Sequence, residues 1–197
     1  MRGVECVLFG LISAENRKTA CSGEIIDQYL AGITEESASA LENLYHCASA
    51  SIYSFALSIL KNSHDAEDVL HDCFVLIWSA AGSYRSSGKP MAWILTITKN
   101  LCLKKLRERG KSSPLDQLEQ DMLSLNNPGM TQEDRMIVSQ CLTQLSTEES
   151  QIVVLHAVSG FKHREIADLL ALPLPTVLSK YNRAIKKLRK IYEGEEH

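Results

Sequence analysis

The chain has 197 residues, a net charge of −3 and 45% hydrophobic residues. This composition is typical of a globular protein with a sizeable core and argues against intrinsic disorder. No stretch approaches the roughly 20 apolar residues that span a bilayer, so no membrane span is expected. The six cysteines are irregularly spaced, without a CxxC or zinc-finger pattern. We therefore expect reduced thiols in a cytoplasmic protein, with no metal or cofactor.

Charge is segregated along the chain. Residues 85–111 hold eight basic residues and one acidic residue, a net charge of +7. Residues 161–190 hold eight basic and two acidic residues, a net charge of +6. The segments 24–84 and 112–160 are acidic. Two basic segments favour two contacts with one polyanion, although each taken alone is also compatible with a solvated helix face.

Helical periodicity covers most of the chain, and no segment shows the period-two alternation of a half-buried strand. Apolar residues recur at threes and fours over 38–60 and predict one buried stripe. Ser63 is expected to cap the next helix, and a turn-rich loop follows at residues 82–89. Pro90 is suited to begin the helix after this loop, and Gly110 is suited to end it.

The helix that starts near Ser63 has an apolar face and an acidic face. The apolar face comprises Ala66, Leu70, Cys73, Phe74, Ile77 and Trp78. The acidic face comprises Glu67, Asp68, His71 and Asp72. Together with Asp65 in the first turn, these acids have two interpretations. Either they are stabilised by the helix dipole and face solvent, or they form a surface for a basic partner.

The organisation beyond this helix predicts a second domain. Residues 111–132 have weak periodicity and two prolines, which predicts a flexible linker. The predicted parts are an N-terminal extension of unknown role (1–23), a first domain (24–110), the linker (111–132), a second domain (133–192) and an acidic tail (193–197). The sequence thus predicts an all-α protein with two small helical domains joined by a flexible linker.

In the second domain, two prolines separate a short helix from a basic one, which is the layout of a helix-turn-helix. Pro175 is expected to open the last helix and to keep Leu174 extended. The basic residues of this helix are three and four positions apart: Lys180, Arg183, Lys187 and Lys190. A stripe with this spacing fits the major groove of DNA.

Two segments resemble one known family, the extracytoplasmic-function group of bacterial sigma factors. DAEDVLHDCFVLIW (65–78), with the following loop and PMAWILTITKNLCLKKLRER (90–109), is similar to the family's second region. The segment 145–190 is similar to its fourth region, with the I-A-x-x-L and P-x-x-T-V-x-S patterns. The resemblance implies a protein that gives RNA polymerase its promoter specificity. It implies as partners core RNA polymerase (the clamp coiled coil of its largest subunit, and the flap), promoter DNA and an anti-sigma factor.

The resemblance also implies site residues in the first domain. Those that match the polymerase-docking helix are Asp65, Glu67, Asp68, Leu70, Asp72 and Phe74. Those that match the part that melts the minus-ten element and holds an unstacked base are Tyr84, Arg85, Ser86, Ser87, Lys89, Trp93, Lys99, Asn100 and Lys104. A loop with an aromatic ring, hydroxyls and cations offers stacking and phosphate contacts to such a base. Trp93 also fits a core position.

In the second domain, the residues that match contacts to the minus-thirty-five element are Thr176, Leu178, Ser179, Lys180, Arg183 and Lys187. Lys187 is expected on the DNA backbone, which affects affinity rather than sequence choice. Leu178 replaces a common lysine and predicts an apolar contact, such as one to a thymine methyl. Ala171 replaces a turn glycine, which implies either a less left-handed turn or about 1 kcal/mol of strain. Lys162 replaces a helix-capping Ser or Thr.

Two other classes of function are open on the residues alone. A helix-turn-helix also occurs in stand-alone transcriptional regulators, which bind duplex DNA without polymerase. An enzyme would need a constellation such as His46, Cys47, His71 and Cys73. Since His71 and Cys73 are two positions apart on a helix, they do not face the same way, and the sequence predicts no enzyme.

Overall fold

The computed structural model describes residues 21–86, 88–110 and 132–194. The α-helices in these ranges are α1 (Gly23–Thr34), α2 (Ala38–Leu60), α3 (Ser63–Ala80), α4 (Pro90–Arg109), α5 (Gln132–Thr143), α6 (Thr147–Ala157), α7 (His163–Leu170) and α8 (Leu174–Gly194). A 3-10 turn, Ala81–Ser83, follows α3. The predicted linker, except Gln132, and residues 1–20 of the predicted extension lie outside the described residues.

The helices form two compact units, with α1 to α4 in the first unit and α5 to α8 in the second. The described ranges contain no strand. The predicted all-α fold with two small helical domains is therefore confirmed. Among the helices of these ranges, none combines the length and the apolar character that a bilayer crossing requires.

Helix α2 is the centre of the first unit, because α1, α3 and α4 all pack on it. Every residue from 48 to 60 is buried, so this half of the helix has no solvent-facing side. Burying a side chain such as Ile52 or Phe55 contributes roughly 2 kcal/mol. The predicted single buried stripe is wrong here, since periodicity along one helix does not reveal how many neighbours enclose it.

The ends of α3 and α4 follow capping chemistry. Asn62, not Ser63, is the N-cap of α3, and its side-chain oxygen accepts the backbone N–H of Asp65 at 2.9 Å. The prediction was wrong by one residue because both side chains are good N-caps. Pro90 occupies the first turn of α4 and Gly110 its C-cap, as predicted.

Helix α8 begins at Leu174, one residue earlier than predicted. The Pro173 carbonyl accepts the N–H groups of Thr176 and Val177 at 2.9 and 3.1 Å. Leu174 is therefore helical, and the prediction that Pro175 opens the helix and keeps Leu174 extended was wrong. Pro175 is tolerated as the second helical residue because the first four N–H groups of a helix have no partner within it.

The turn after α7 is strained at Ala171. Of the two outcomes expected there, a less left-handed turn or strain, the structure has the second. This residue is left-handed, with φ 54° and ψ 43°, which costs an alanine about 1 kcal/mol relative to glycine. At the other end of α7, the Glu165 carboxylate accepts the backbone N–H of Lys162 at 2.8 Å. Half of a capping box thus replaces the missing Ser or Thr hydroxyl.

The cysteines differ from the expectation of reduced thiols at one pair. Cys21 and Cys47 form a disulfide, with Cα atoms 5.8 Å apart, so the chain two residues before α1 is tied to the middle of α2. Cys73 and Cys102 are free and buried, as expected of packing residues. Burial raises the pKa of Cys73 to about 11 and that of Cys102 to about 12, so both stay protonated thiols.

Candidate nucleic-acid interface

The loop between α3 and α4, residues 82–89, is held by contacts at Tyr84 and Ser86. Both hydroxyls donate to the carboxylate of Asp27 on α1, each at 2.7 Å. The Tyr84 ring lies against the Trp93 ring of α4, with centroids 4.9 Å apart. Trp93 is half-buried and forms part of the support of the loop. Asp27 was not among the residues singled out from sequence.

The outward side of the loop is basic. Arg85 and Lys89 are exposed, and Gly88 has a φ of 73°, a conformation that favours glycine. Asn100 and Lys104 continue this exposed surface along α4, where Lys99 is half-buried. Ser87 lies outside the described residues. Exposed cations beside an aromatic ring are suited to a nucleic-acid strand with unpaired bases.

Asp65 lies at the buried junction of α3 and α4. Its carboxylate is paired with Arg109 and lies 3.2 Å from the Lys105 ammonium. Lys105 also pairs with Asp68, which in turn contacts His64. Asp65 is thus buried at the helix junction, whereas both interpretations from sequence placed it on an accessible side of α3. These pairs also join acids of α3 to the basic end of α4, which fixes the two helices together.

The solvent-facing side of α3 is partly apolar. We define the α3 outer surface by its exposed residues His71, Asp72, Val75, Leu76 and Trp78. Trp78 is 41% exposed, so its predicted place on the buried face was wrong. The predicted docking residues Leu70 and Phe74 are buried and support the helix from below. Sequence analysis missed Val75 and Leu76, although their spacing from Asp72 by three and four positions signals one surface.

The inner side of α8 packs on α6 and α7, with Val177, Ala184 and Leu188 buried. Half-buried Tyr181 meets the rings of His156 and His163 edge-on, with centroids 5.0 and 4.8 Å away. Burial, followed by charge repulsion from His156, lowers the pKa of His163. Neutral His163 therefore belongs to the packing of the helix-turn-helix.

Two lysines predicted to contact DNA make ion pairs within the unit. Lys180 pairs with Glu148, and Lys187 pairs with Glu149 at 2.7 Å. Glu149 also completes the N-terminal capping box of α6 with Ser146. Burial alone would raise the pKa of Glu149, but the hydrogen bonds from Lys187 and Ser146 outweigh it and lower the pKa. The predicted basic stripe is thus partly directed at α6.

The opposite side of α8 is open to solvent. We define the α8 outer surface by Leu178, Ser179, Asn182, Arg183 and Lys186, all exposed. Thr176 lies beside it and is half-buried. Asn182 and Lys186 were missed from sequence, although they follow Ser179 at three and seven positions and complete a helical row. This surface presents cations, amide and hydroxyl groups together with one apolar side chain, which are the groups that contact base edges and phosphates.

The residues considered for an enzyme do not come together. Cys47 is in the disulfide, and Cys73 is buried within 3.4 Å of the Thr98 hydroxyl, whereas His71 is exposed on the other side of α3. A buried thiol with a raised pKa is a poor nucleophile.

Comparison with protein-family models gives two matches in one chain. Sigma-70 region 2 matches residues 44–112, and sigma-70 region 4 matches residues 135–188. The chain has two helical units, the second of which is a helix-turn-helix, and the two regions match them in this order. This combination defines a sigma factor of the sigma-70 family.

Relatives give the narrower assignment. The ECF RNA polymerase sigma factor SigK of Mycolicibacterium vanbaalenii is 24% identical over 188 residues, covering 91% of this chain and 95% of the relative. SigM of Mycobacterium tuberculosis is 28% identical over 152 residues, covering 77% of this chain and 76% of the relative. The chain belongs to the extracytoplasmic-function (ECF) group of sigma factors.

Two solved structures share the fold. CnrH, in complex with the cytosolic domain of CnrY, has a TM-score of 0.57 at 20% identity and covers 86% of this chain and 98% of its own. The sigma factor RpoE of Bartonella quintana, in complex with the anti-sigma factor NepR, has a TM-score of 0.58 at 22% identity. The match covers 74% of this chain and 92% of the RpoE chain.

Proposed function

We propose that this sigma factor binds core RNA polymerase in the cytoplasm, recognises the minus-ten and minus-thirty-five elements of its promoters, and assists promoter melting without catalysing a reaction itself. The observation that carries the proposal is the presence of two outward basic surfaces, one in each unit, beside family matches to regions 2 and 4. Residues 24–110 and 133–192 are the proposed limits of the two domains.

Polymerase docking is assigned to α3. The α3 outer surface joins acidic Asp72 to exposed apolar side chains, and Glu67 and Asp68 lie one turn before it. An apolar centre with charges at its edge is the composition of a protein–protein interface. Asp65, Leu70 and Phe74 would act indirectly, by holding α3 in place. The flap of polymerase remains the proposed partner of the second unit.

Promoter melting is assigned to the 82–89 loop and α4. Arg85 and Lys89 would contact phosphates of the non-template strand, and Asn100 and Lys104 would extend this track along α4. An unpaired base would stack on the half-buried rings of the Tyr84 and Trp93 pair. Opening is then driven by base capture rather than by nucleotide hydrolysis.

The minus-thirty-five element is assigned to the α8 outer surface. Ser179, Asn182 and Arg183 would contact base edges, and Lys186 would contact phosphate. Lys180 and Lys187 would contribute through their ion pairs with Glu148 and Glu149, which fix α8 on α6. Because the similar sigma factor RpoE was solved in complex with an anti-sigma factor, NepR, we also propose control by an anti-sigma factor.

The test of this function is run-off transcription from fragmented genomic DNA with bacterial core RNA polymerase. We expect discrete transcripts only when the protein is added, and weak binding of the protein alone to the same promoters. Tight, sequence-specific binding to duplex DNA without core enzyme, combined with no transcript, would instead identify a stand-alone regulator.

Leu178→Lys is expected to change promoter choice. Leu178 is 41% exposed on the α8 outer surface, so the substitution leaves the core intact. Exchanging an apolar contact for a polar one changes discrimination at one or two base pairs by about 5- to 50-fold. The measurement is selection of minus-thirty-five sequences by the reconstituted holoenzyme. Leu103→Lys, at an equally exposed leucine of α4, is the matched control and should leave this preference unchanged.

A further inference from the structure

Helix α1 carries an acidic side chain, Asp27, that hydrogen-bonds to the 82–89 loop. Both carboxylate oxygens of Asp27 are used, one by the Tyr84 hydroxyl and one by the Ser86 hydroxyl, each at 2.7 Å. Hydrogen bonds of this length to a carboxylate are among the stronger ones in proteins. They join segments 57 and 59 residues apart in the chain, so they fix tertiary rather than local structure.

Both ends of the loop also lie close to α1. A Cβ atom at Gly23 would be 3.5 Å from the Pro90 ring and 3.7 Å from the Gly88 carbonyl oxygen. At the other end, a Cβ atom at Gly82 would be 3.7 Å from the Thr34 side chain. Helix α1 therefore lies close to the described residues at both ends of the loop, with Asp27 between these contacts.

The Tyr84 side chain is fixed at two points. Its ring lies 4.9 Å from that of Trp93 on α4, and its hydroxyl donates to Asp27 on α1. Tyr84 therefore bridges the helices on either side of the loop. A ring held in this way cannot turn freely towards DNA, and the adjacent Arg85 is left pointing to solvent. A binding loop that is ordered beforehand loses less conformational entropy when it binds.

We propose that Asp27 is a positioning residue for promoter melting: through Tyr84 and Ser86 it holds the 82–89 loop in the conformation that captures an unpaired base. This inference rests on the proposed sigma-factor function and adds a residue from outside the basic surface. The negative charge of Asp27 would itself repel phosphate, so its contribution lies in accepting the two hydroxyl hydrogen bonds rather than in contacting DNA.

The test compares Asp27→Ala with Asp27→Asn. Alanine removes both acceptors, whereas the asparagine amide can accept one hydroxyl hydrogen bond and donate to the other oxygen. Glu24→Gln, which removes one charge from the exposed first turn of the same helix, is the control. The probe is a promoter fragment recovered by the run-off experiment, with 2-aminopurine in its minus-ten element. Hydrogen exchange of amides 84–89 in the isolated protein provides a second readout.

We expect Asp27→Ala to slow promoter opening about tenfold and to speed exchange of the loop amides, while affinity for core polymerase stays unchanged. Asp27→Asn should stay within about twofold of the wild type on both readouts. Tyr84→Phe removes one of the two hydroxyls and should have an intermediate effect. It also tests the inference if the alanine variant folds poorly.

Three results would overturn the inference. The first is normal opening and exchange in Asp27→Ala, and the second is faster opening, which would mean that Asp27 restrains the loop from DNA. The third is an asparagine variant as slow as the alanine one, which would assign the effect to charge. If the wild-type protein opens no promoter, the proposed function fails separately, and unchanged amide exchange in Asp27→Ala would still refute positioning.

Discussion

Replacing Leu76 with Glu is expected to weaken binding to core RNA polymerase by about 100-fold, which corresponds to a loss of about 3 kcal/mol. Leu76 is 42% exposed between Val75 and Trp78, so a polar substitution is tolerated by the folded protein alone. In a complex, however, the new carboxylate would be removed from water at the centre of an apolar contact. Titration of fluorescently labelled protein with core enzyme measures the effect.

The matched control for this experiment is Leu103→Glu. Leu103 is also helical and is 41% exposed, but it lies on α4 rather than on the α3 outer surface. We expect its affinity for core enzyme, measured without DNA, to stay within about threefold of the wild type. Equal losses in both variants would mean that added negative charge acts generally, and the assignment of docking to α3 would then be wrong.

The Asp65→Ala variant is expected to lower the free energy of unfolding of the first unit by about 3 kcal/mol. The substitution leaves Lys105 and Arg109 without the buried carboxylate that pairs with them. It does not affect the capping bond at this position, because Asn62 accepts a backbone N–H there. Urea denaturation followed by tryptophan fluorescence reports on this unit specifically, since the two tryptophans are in α3 and α4.

Asp72→Ala separates the structural acid from the docking acid. Asp72 is exposed on α3, so its removal should change the unfolding free energy by less than about 0.5 kcal/mol. It should nevertheless weaken polymerase binding. Asp65→Ala should weaken binding only to the extent that it raises the fraction of unfolded protein. A stable Asp65→Ala variant that binds core enzyme poorly would restore Asp65 as a direct contact.

Local signals predicted the helices well because they depend on neighbours three or four positions away. Pro90 and Gly110, for example, mark the limits of α4 through backbone chemistry that is independent of tertiary structure. The one-residue error at Ser63 arose where two good caps adjoin, and the choice between them depends on packing of the chain entering α3.

The site was predicted less completely, because its residues depend on partners far along the chain. Lys180 and Lys187 fit the spacing of a DNA-binding stripe, but acids on α6 direct them away from it. Asp27 carries no local signal, since its partners come more than fifty residues later. The resemblance to a family indicated which helices to consider, whereas the direction of each side chain required the packed structure.

The bond between Cys21 and Cys47 has a mechanical consequence. It connects Cys21, two residues before α1, to a helix whose second half is enclosed on all sides. A pull on the chain ahead of residue 21 therefore has a covalent path to α2 that bypasses α1. With the bond closed, a fusion partner or surface tether at that end would load α2 at Cys47, and Asp27 and its loop lie off this path.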